Sequence, residues 1–186
     1  MLKIFLTNLL FISYLFAIEK GEFYGSAQEK NPSWFKSSFL DLEEDINDAT
    51  KKGKNIIIYF HQNGCPYCAK LIRDNFHNPV LVKKIKQNFE VIEINMFGDR
   101  ELTDWNGKEF NEKTFAEHLK IQFTPSLLFL NPEKQIVLRL NGYQSTKKMH
   151  QVLDYLISKK YKTQTFANYK YNNKKTTGKL TISCFF

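Results

Sequence analysis

The chain has 186 residues, of which 42% are hydrophobic and 25% charged, enough for one domain with a real core and too few for two. Its formal net charge is +8, but seven lysines from Lys159 onward carry +7 of this with no accompanying acid, and Lys3 supplies the rest. Residues 19–158 are therefore neutral, which excludes the basic folded face that a nucleic-acid partner needs.

Residues 1–18, MLKIFLTNLLFISYLFAI, place one early lysine before an apolar run that ends at Ala17 and the polar Glu19-Lys20-Gly21-Glu22. This layout predicts a secretory signal peptide, the alternative being an uncleaved membrane anchor that leaves the rest of the chain in the same exported compartment. Residues 19–33 read as a linker. In residues 34–52, Phe35, Phe39, Leu42, Ile46 and Ala49 recur at helical spacing with Glu43, Glu44, Asp45 and Asp48 mostly opposite, predicting an amphipathic helix that stops at Gly53. Residues 55–61 form a continuous apolar, β-branched run, as expected of a parallel strand covered on both faces.

That strand runs into Cys65-Pro66-Tyr67-Cys68 and then into a helix. In an α/β chain, a C-x-x-C pair at such a junction reads as a redox dithiol. A zinc site needs more ligands: only His61 precedes the pair, no second C-x-x-C follows, and His77, His118 and His150 lack ligand spacing. No metal and no cofactor beyond the dithiol itself is therefore expected. Cys65 stands at the helix start, where unpaired N–H groups and the positive end of the dipole favour the attacking thiolate. Cys68, one turn further, is expected to be more shielded and to resolve the mixed disulfide. Pro66 suits the first helical position, where a missing N–H costs nothing. Cys184, in the tail, makes the cysteine count odd and reads as an incidental thiol.

Further on, Asn78 and Pro79 cap and open a helix to about residue 88, and residues 89–97 form the next strand, so the connection is a right-handed parallel crossover. Residues 98–113 are polar with an Asn106-Gly107 turn and read as an inserted loop or small hairpin. Thr114 to Glu117 fits a capping box that opens a short helix through residue 120. Thr124-Pro125 precedes an apolar strand at 126–130, which turns at Asn131-Pro132 into a strand at 136–140. So short a link makes these two antiparallel neighbours. Residues 145–159 carry Met149, Val152, Leu153, Leu156 and Ile157 on one face of a closing helix. From residue 161 the basic tail shows no apolar period and is expected to be disordered, with weak contact to an anionic membrane surface as its one suggested interaction.

The order strand, C-x-x-C helix, strand, helix, Thr-Pro, hairpin, helix resembles the thioredoxin fold over residues 34–160. This is an α/β fold with a mixed central sheet flanked by helices on both faces, here with an N-terminal helix and an insert after the second strand. The segments GCPYC, INMFGDRELTDWNGKEF and FTPSLLFLN, together with LNGY, make the chain similar to the SoxW-type thioredoxin-related proteins of the bacterial periplasm. The resemblance implies a periplasmic thiol–disulfide oxidoreductase that reduces disulfides of partner proteins and draws electrons from a CcdA-like membrane donor. It also implies that Pro125 is cis, so that Thr124 and Pro125, with Pro66 and Tyr67, would meet an extended substrate beside Cys65. Thioredoxin itself has a Trp-Cys-Gly-Pro-Cys loop and a buried Asp six residues before the first Cys, whereas Gly64 and Tyr59 occupy those places here. Glu93, at about the place where thioredoxin keeps a buried Lys, is the expected substitute, a shielded carboxyl whose raised pKa would suit it to take a proton from Cys68. The alternative is a Glu that points to solvent. A disulfide oxidase or isomerase, and a redox-inert thioredoxin-fold binding module, are the competing functions; two intact thiols argue against the last.

Overall fold

The computed structural model describes residues 30–180, with side chains as far as Asn173. The signal-peptide reading of residues 1–18, most of the linker, and Cys184 lie outside the described residues. The core is a four-stranded sheet of β1 (Asn55–His61), β2 (Phe89–Asn95), β5 (Ser126–Leu130) and β6 (Ile136–Asn141), in the spatial order β2-β1-β5-β6. β1 runs parallel to β2, with Tyr59 opposite Glu93, and antiparallel to β5, with Phe60 opposite Ser126. β5 and β6 form the expected antiparallel pair.

β1 is apolar without alternation because both of its faces are covered. Ile57 and Tyr59 join Val91, Leu127 and Phe129 in a cluster under α2 (Pro66–Leu71), α3 (Pro79–Asn88) and α5 (Thr146–Ile157). Ile56, Ile58 and Phe60 join Ile92, Ile94, Leu128 and Leu130 in a second cluster under α1 (Leu42–Lys51) and α4 (Glu112–His118). The fold is thus a mixed α/β sheet with helices on both faces. After α2, residues Ile72–Phe76 continue as a π-helical turn.

Three elements differ from the sequence reading. The first helix begins at Leu42, because Asp41 takes the N-cap and its carboxylate accepts a hydrogen bond from Glu44 N–H at 3.0 Å. Leu40 is left-handed at φ 65°, and Phe39, expected on the apolar helix face, is fully exposed. Trp34 and Phe35 instead pack edge-on against Phe76, and Lys36 N–H donates to Val91 C=O at 2.8 Å alongside β2. The insert is a hairpin of β3 (Glu101–Thr103) and β4 (Glu109–Asn111), one of the two expected forms, but α4 is capped three residues early, because Asn111 takes the N-cap and Thr114 closes the box from the third position.

The third difference is the tail. Residues Lys160–Lys162 form a 3-10 turn and Phe166–Leu180 form helix α6. The rings of Phe166 and Tyr169 each sit 5.3 Å from the ring of Tyr155, whose hydroxyl donates to Gln164 C=O at 2.7 Å. The expectation of disorder counted charges and missed these rings, which give the segment an apolar anchor.

Candidate active site

The sheet brings the Cys pair and Thr124-Pro125 to one end of β1. Gly64, at φ 69°, turns the chain out of β1 in a left-handed conformation that suits glycine. Cys65 then serves as N-cap of α2, its extended backbone leading into Pro66 at the first helical position. Cys65 and Cys68 are joined in a disulfide with Cα atoms 5.2 Å apart, the separation that one helical turn supplies. Cys65 Sγ accepts hydrogen bonds from Cys68 N–H at 3.1 Å and from the Thr124 hydroxyl at 3.4 Å. Both donors favour negative charge on this sulfur once the disulfide opens.

The Thr124-Pro125 peptide bond is cis. Pro125 C=O accepts from Gly142 N–H at 2.7 Å and Phe123 C=O from the Ser126 hydroxyl at 2.7 Å, so both flanks of the corner are pinned. Tyr67 is exposed on α2. The expected contrast in accessibility between the cysteines is small: Cys65 is 8% exposed and Cys68 5%. In the disulfide state, hydrogen bonding to Cys65 distinguishes the two sulfurs better than burial does.

The proposed role of Glu93 requires correction. Glu93 Oε2 lies 2.5 Å from His61 Nε2, and Oε1 accepts from Arg100 at 3.0 Å. The His61 hydrogen bond, aided by the Arg100 charge, outweighs burial and holds its carboxyl below the ordinary range, opposite to the raised value that proton abstraction from Cys68 requires. Arg100 continues to Glu112 at 2.6 Å, and Glu112, buried at 2% exposure, also accepts from Asn95 N–H at 2.8 Å. Four ionisable side chains thus link α4 and the insert to the last residue of the active-site strand. The sequence reading weighed His61 only as a lone zinc ligand and did not single out Arg100 or Glu112. Strand periodicity carries part of the signal, since it puts Tyr59 and His61 on one face of β1 beside Glu93.

Tyr59 is fully buried in the cluster that contains both cysteines, and its hydroxyl has no hydrogen-bond partner. Burial, aided by the Glu93 charge, pushes its phenol well above the ordinary value, so it stays neutral. Among the described residues no group of three or more His, Cys, Asp or Glu side chains could hold a metal ion.

A thioredoxin-fold protein from Helicobacter pylori superimposes with a TM-score of 0.60 at 20% identity, covering 76% of this chain and 92% of that one. A thioredoxin from Thermus thermophilus superimposes with a TM-score of 0.52 at 20% identity, covering 63% of this chain and 85% of that one. At this identity the likeness concerns the fold alone. No curated protein matches the chain significantly. Residues 42–157, from the start of α1 to the end of α5, match the Thioredoxin-like domain, and with Cys65 and Cys68 inside that span the chain belongs to the thioredoxin-like family.

Proposed function

We propose that the chain is an exported thiol–disulfide oxidoreductase that reduces disulfides of partner proteins. The observation that carries this is the pair of donors on Cys65 Sγ, at the start of α2 and against Thr124. In the reduced protein, the Cys65 thiolate attacks one sulfur of a substrate disulfide. A mixed disulfide forms and the substrate S–S bond breaks, its second sulfur leaving as a thiolate that is then protonated. Cys68, as thiolate, attacks Cys65 Sγ, releases the first substrate sulfur and closes the Cys65–Cys68 disulfide. Two electrons pass to the substrate, and a reductant must return them; the family resemblance suggests a CcdA-like membrane donor. Export rests on the reading of residues 1–18, and weak contact of the basic 159–180 segment with an anionic membrane surface rests on its charge.

One observation also favours a disulfide oxidase or isomerase. Donors that stabilise the Cys65 thiolate stabilise the reduced protein, which makes its disulfide a better oxidant. A redox-inert binding module is the third reading. Insulin reduction with dithiothreitol tests the activity: wild type accelerates it and Cys65→Ser abolishes it, whereas an inert wild type supports the binding module. The potential against glutathione and the redox state of the pair in cells decide direction, and a strongly oxidising pair found oxidised favours the oxidase. Mixed disulfides trapped on Cys68→Ser identify the substrates.

A further inference from the structure

The loop that leaves β6 ties the helix carrying the two cysteines to the Thr124-Pro125 corner. At one end of this loop Gly142 N–H donates to Pro125 C=O at 2.7 Å, and the residue before Pro125 is the Thr124 whose hydroxyl meets Cys65 Sγ. At its other end the loop grips the π-helical turn that continues α2. Asn75 Nδ2 donates to Gln144 C=O at 2.9 Å, and the Thr146 hydroxyl donates to Asp74 C=O at 3.1 Å. The Tyr143 hydroxyl donates to the Asp74 carboxylate, which also accepts from Lys70 at 2.9 Å. Gln144 fixes the middle of the loop, its side-chain amide donating to Asn141 C=O at 3.0 Å and to Gly142 C=O at 2.8 Å. The path from Cys65 along the helix to Asn75, across to Gln144 and Gly142, across again to Pro125 and back through Thr124 is a closed ring, and the Thr124–Cys65 contact closes it.

Asn75 is 0% exposed and Gln144 4%, and the Asn75 Oδ1 atom has no hydrogen-bond partner. A buried amide oxygen without a partner costs stability, and a leucine would fill the same space without one, so stability alone does not select an amide at position 75. What the amide adds is a directional bond that fixes the loop against the helix. That precision matters at the far side of the ring. The Thr124 hydroxyl stands 3.4 Å from Cys65 Sγ, so a further shift of a few tenths of an ångström loses the bond, and reactive groups work only when their supports hold them to within about half an ångström.

We propose that Asn75 and Gln144 are positioning residues for the attacking sulfur, holding the Thr124 hydroxyl at the distance from Cys65 Sγ where it stabilises the thiolate. This rests on the oxidoreductase reading and adds to it two residues that hydrogen-bond neither sulfur. Asn75 ties the loop to the helix, and Gln144 holds the turn from which Gly142 reaches Pro125. Both act through Thr124, because a donor stabilises a thiolate only when it is aimed at the sulfur.

The test uses the full chain, reduced beforehand, with iodoacetamide rates followed against pH and the adduct placed on Cys65 by peptide mass spectrometry. Gln144→Ala keeps the backbone carbonyl that Asn75 uses and removes the lock on Gly142, whereas Asn75→Leu removes the tie to the helix at nearly constant volume. Each is expected to raise the Cys65 pKa by about 0.5, most of the roughly 0.7 expected for losing the hydroxyl itself. In a Thr124→Val background neither should raise it further, because the group they position is gone. Equal shifts in both backgrounds, or a lower melting temperature with no shift, would mean that the two amides serve the fold and not the sulfur, and either result overturns the proposal. Should Asn75→Leu fail to fold, Gln144→Ala decides by the same comparison. Hydroxyethyl disulfide separates the two levels of the argument. A wild type inert toward it sinks the oxidoreductase reading and the proposal with it, whereas an active wild type with an unmoved pKa in Gln144→Ala overturns the positioning role alone.

Discussion

Replacing Thr124 by Val keeps the shape of a β-branched side chain and removes one of the two donors to Cys65 Sγ. In the reduced protein that donor acts on a thiolate, and bonds to charged acceptors contribute about 1.5–3 kcal/mol. The sulfur contact here is long at 3.4 Å and Thr124 is half-buried. About 1 kcal/mol is the appropriate scale, which converts to a rise of about 0.7 in the Cys65 pKa. The sign follows from which state gains the bond: the thiolate loses a partner, so its pKa rises. Above that pKa the reduced protein is destabilised against the disulfide, and the potential becomes more negative by about 20 mV. Iodoacetamide rates against pH give the first quantity, and equilibration with glutathione the second. A pKa that stays put or falls in Thr124→Val would show that the hydroxyl does not bond the thiolate, and the case for Cys65 as the favoured nucleophile would then rest on its N-cap position alone.

Truncation after Lys162 removes Phe166 and Tyr169 from Tyr155; the loss of about 2 kcal/mol should lower Tm by roughly 4–8 °C while insulin reduction persists, and an unchanged Tm would refute the packing role of α6. Gly98→Ala would push on the buried Glu112 carboxylate and disturb its bonds to Arg100 and Asn95, so denaturant melts should show a loss of about 2–4 kcal/mol, and a neutral outcome would mean that the ladder relaxes freely. Because the folded pKa of Glu93 is depressed, its contribution to stability is present above the ordinary carboxylate pKa and is lost as pH falls through the folded value. Glu93→Gln should therefore be less stable near neutral pH and show a shallower stability loss in acid, and parallel pH profiles would contradict the pairing. Tyr59→Phe removes a buried hydroxyl without a partner and should leave the protein as stable or up to about 1 kcal/mol more stable by urea titration; a clear loss would reveal a bonding partner for that hydroxyl.

The central elements were legible because each carries a local signal that the tertiary structure reinforces. β1 occupies residues 55–61 as expected, since continuous β-branched burial has few other solutions, and α3 and α5 begin after the caps Asn78 and Ser145. The misreadings at the first helix and the tail share one cause, apolar residues whose partners lie outside the local segment. Phe35 fits a helical period on paper, but it packs on Tyr59 and Phe76, and Asp41 starts the helix after it. Phe166 and Tyr169 lie in a polar, basic segment that reads as solvated until Tyr155 is brought to them.

At the active site the same limit falls on charge. The resemblance to thioredoxin nominated Glu93, in the strand beside β1, as a shielded carboxyl, but its pKa depends on His61, thirty-two residues away, and on Arg100 in the insert, and both hold the charged form. Proton transfer from Cys68 cannot then copy an arrangement with a buried neutral acid. A carboxylate held ionised by two partners is a poor acceptor, and the Tyr59 phenol, kept neutral by burial, is a poorer one. Neither group that the departure from thioredoxin brought forward is suited by its environment to take the proton. The departing substrate sulfur fits the role better, since it leaves as a thiolate beside Cys65 at the moment Cys68 must ionise to resolve the mixed disulfide. Resolution should then depend on the basicity of the leaving thiol and only weakly on Glu93. In single-turnover reactions with a series of aryl and alkyl disulfides, Glu93→Gln should preserve the wild-type slope of rate against leaving-group pKa, and a slope that changes with this substitution would restore Glu93 to the proton path.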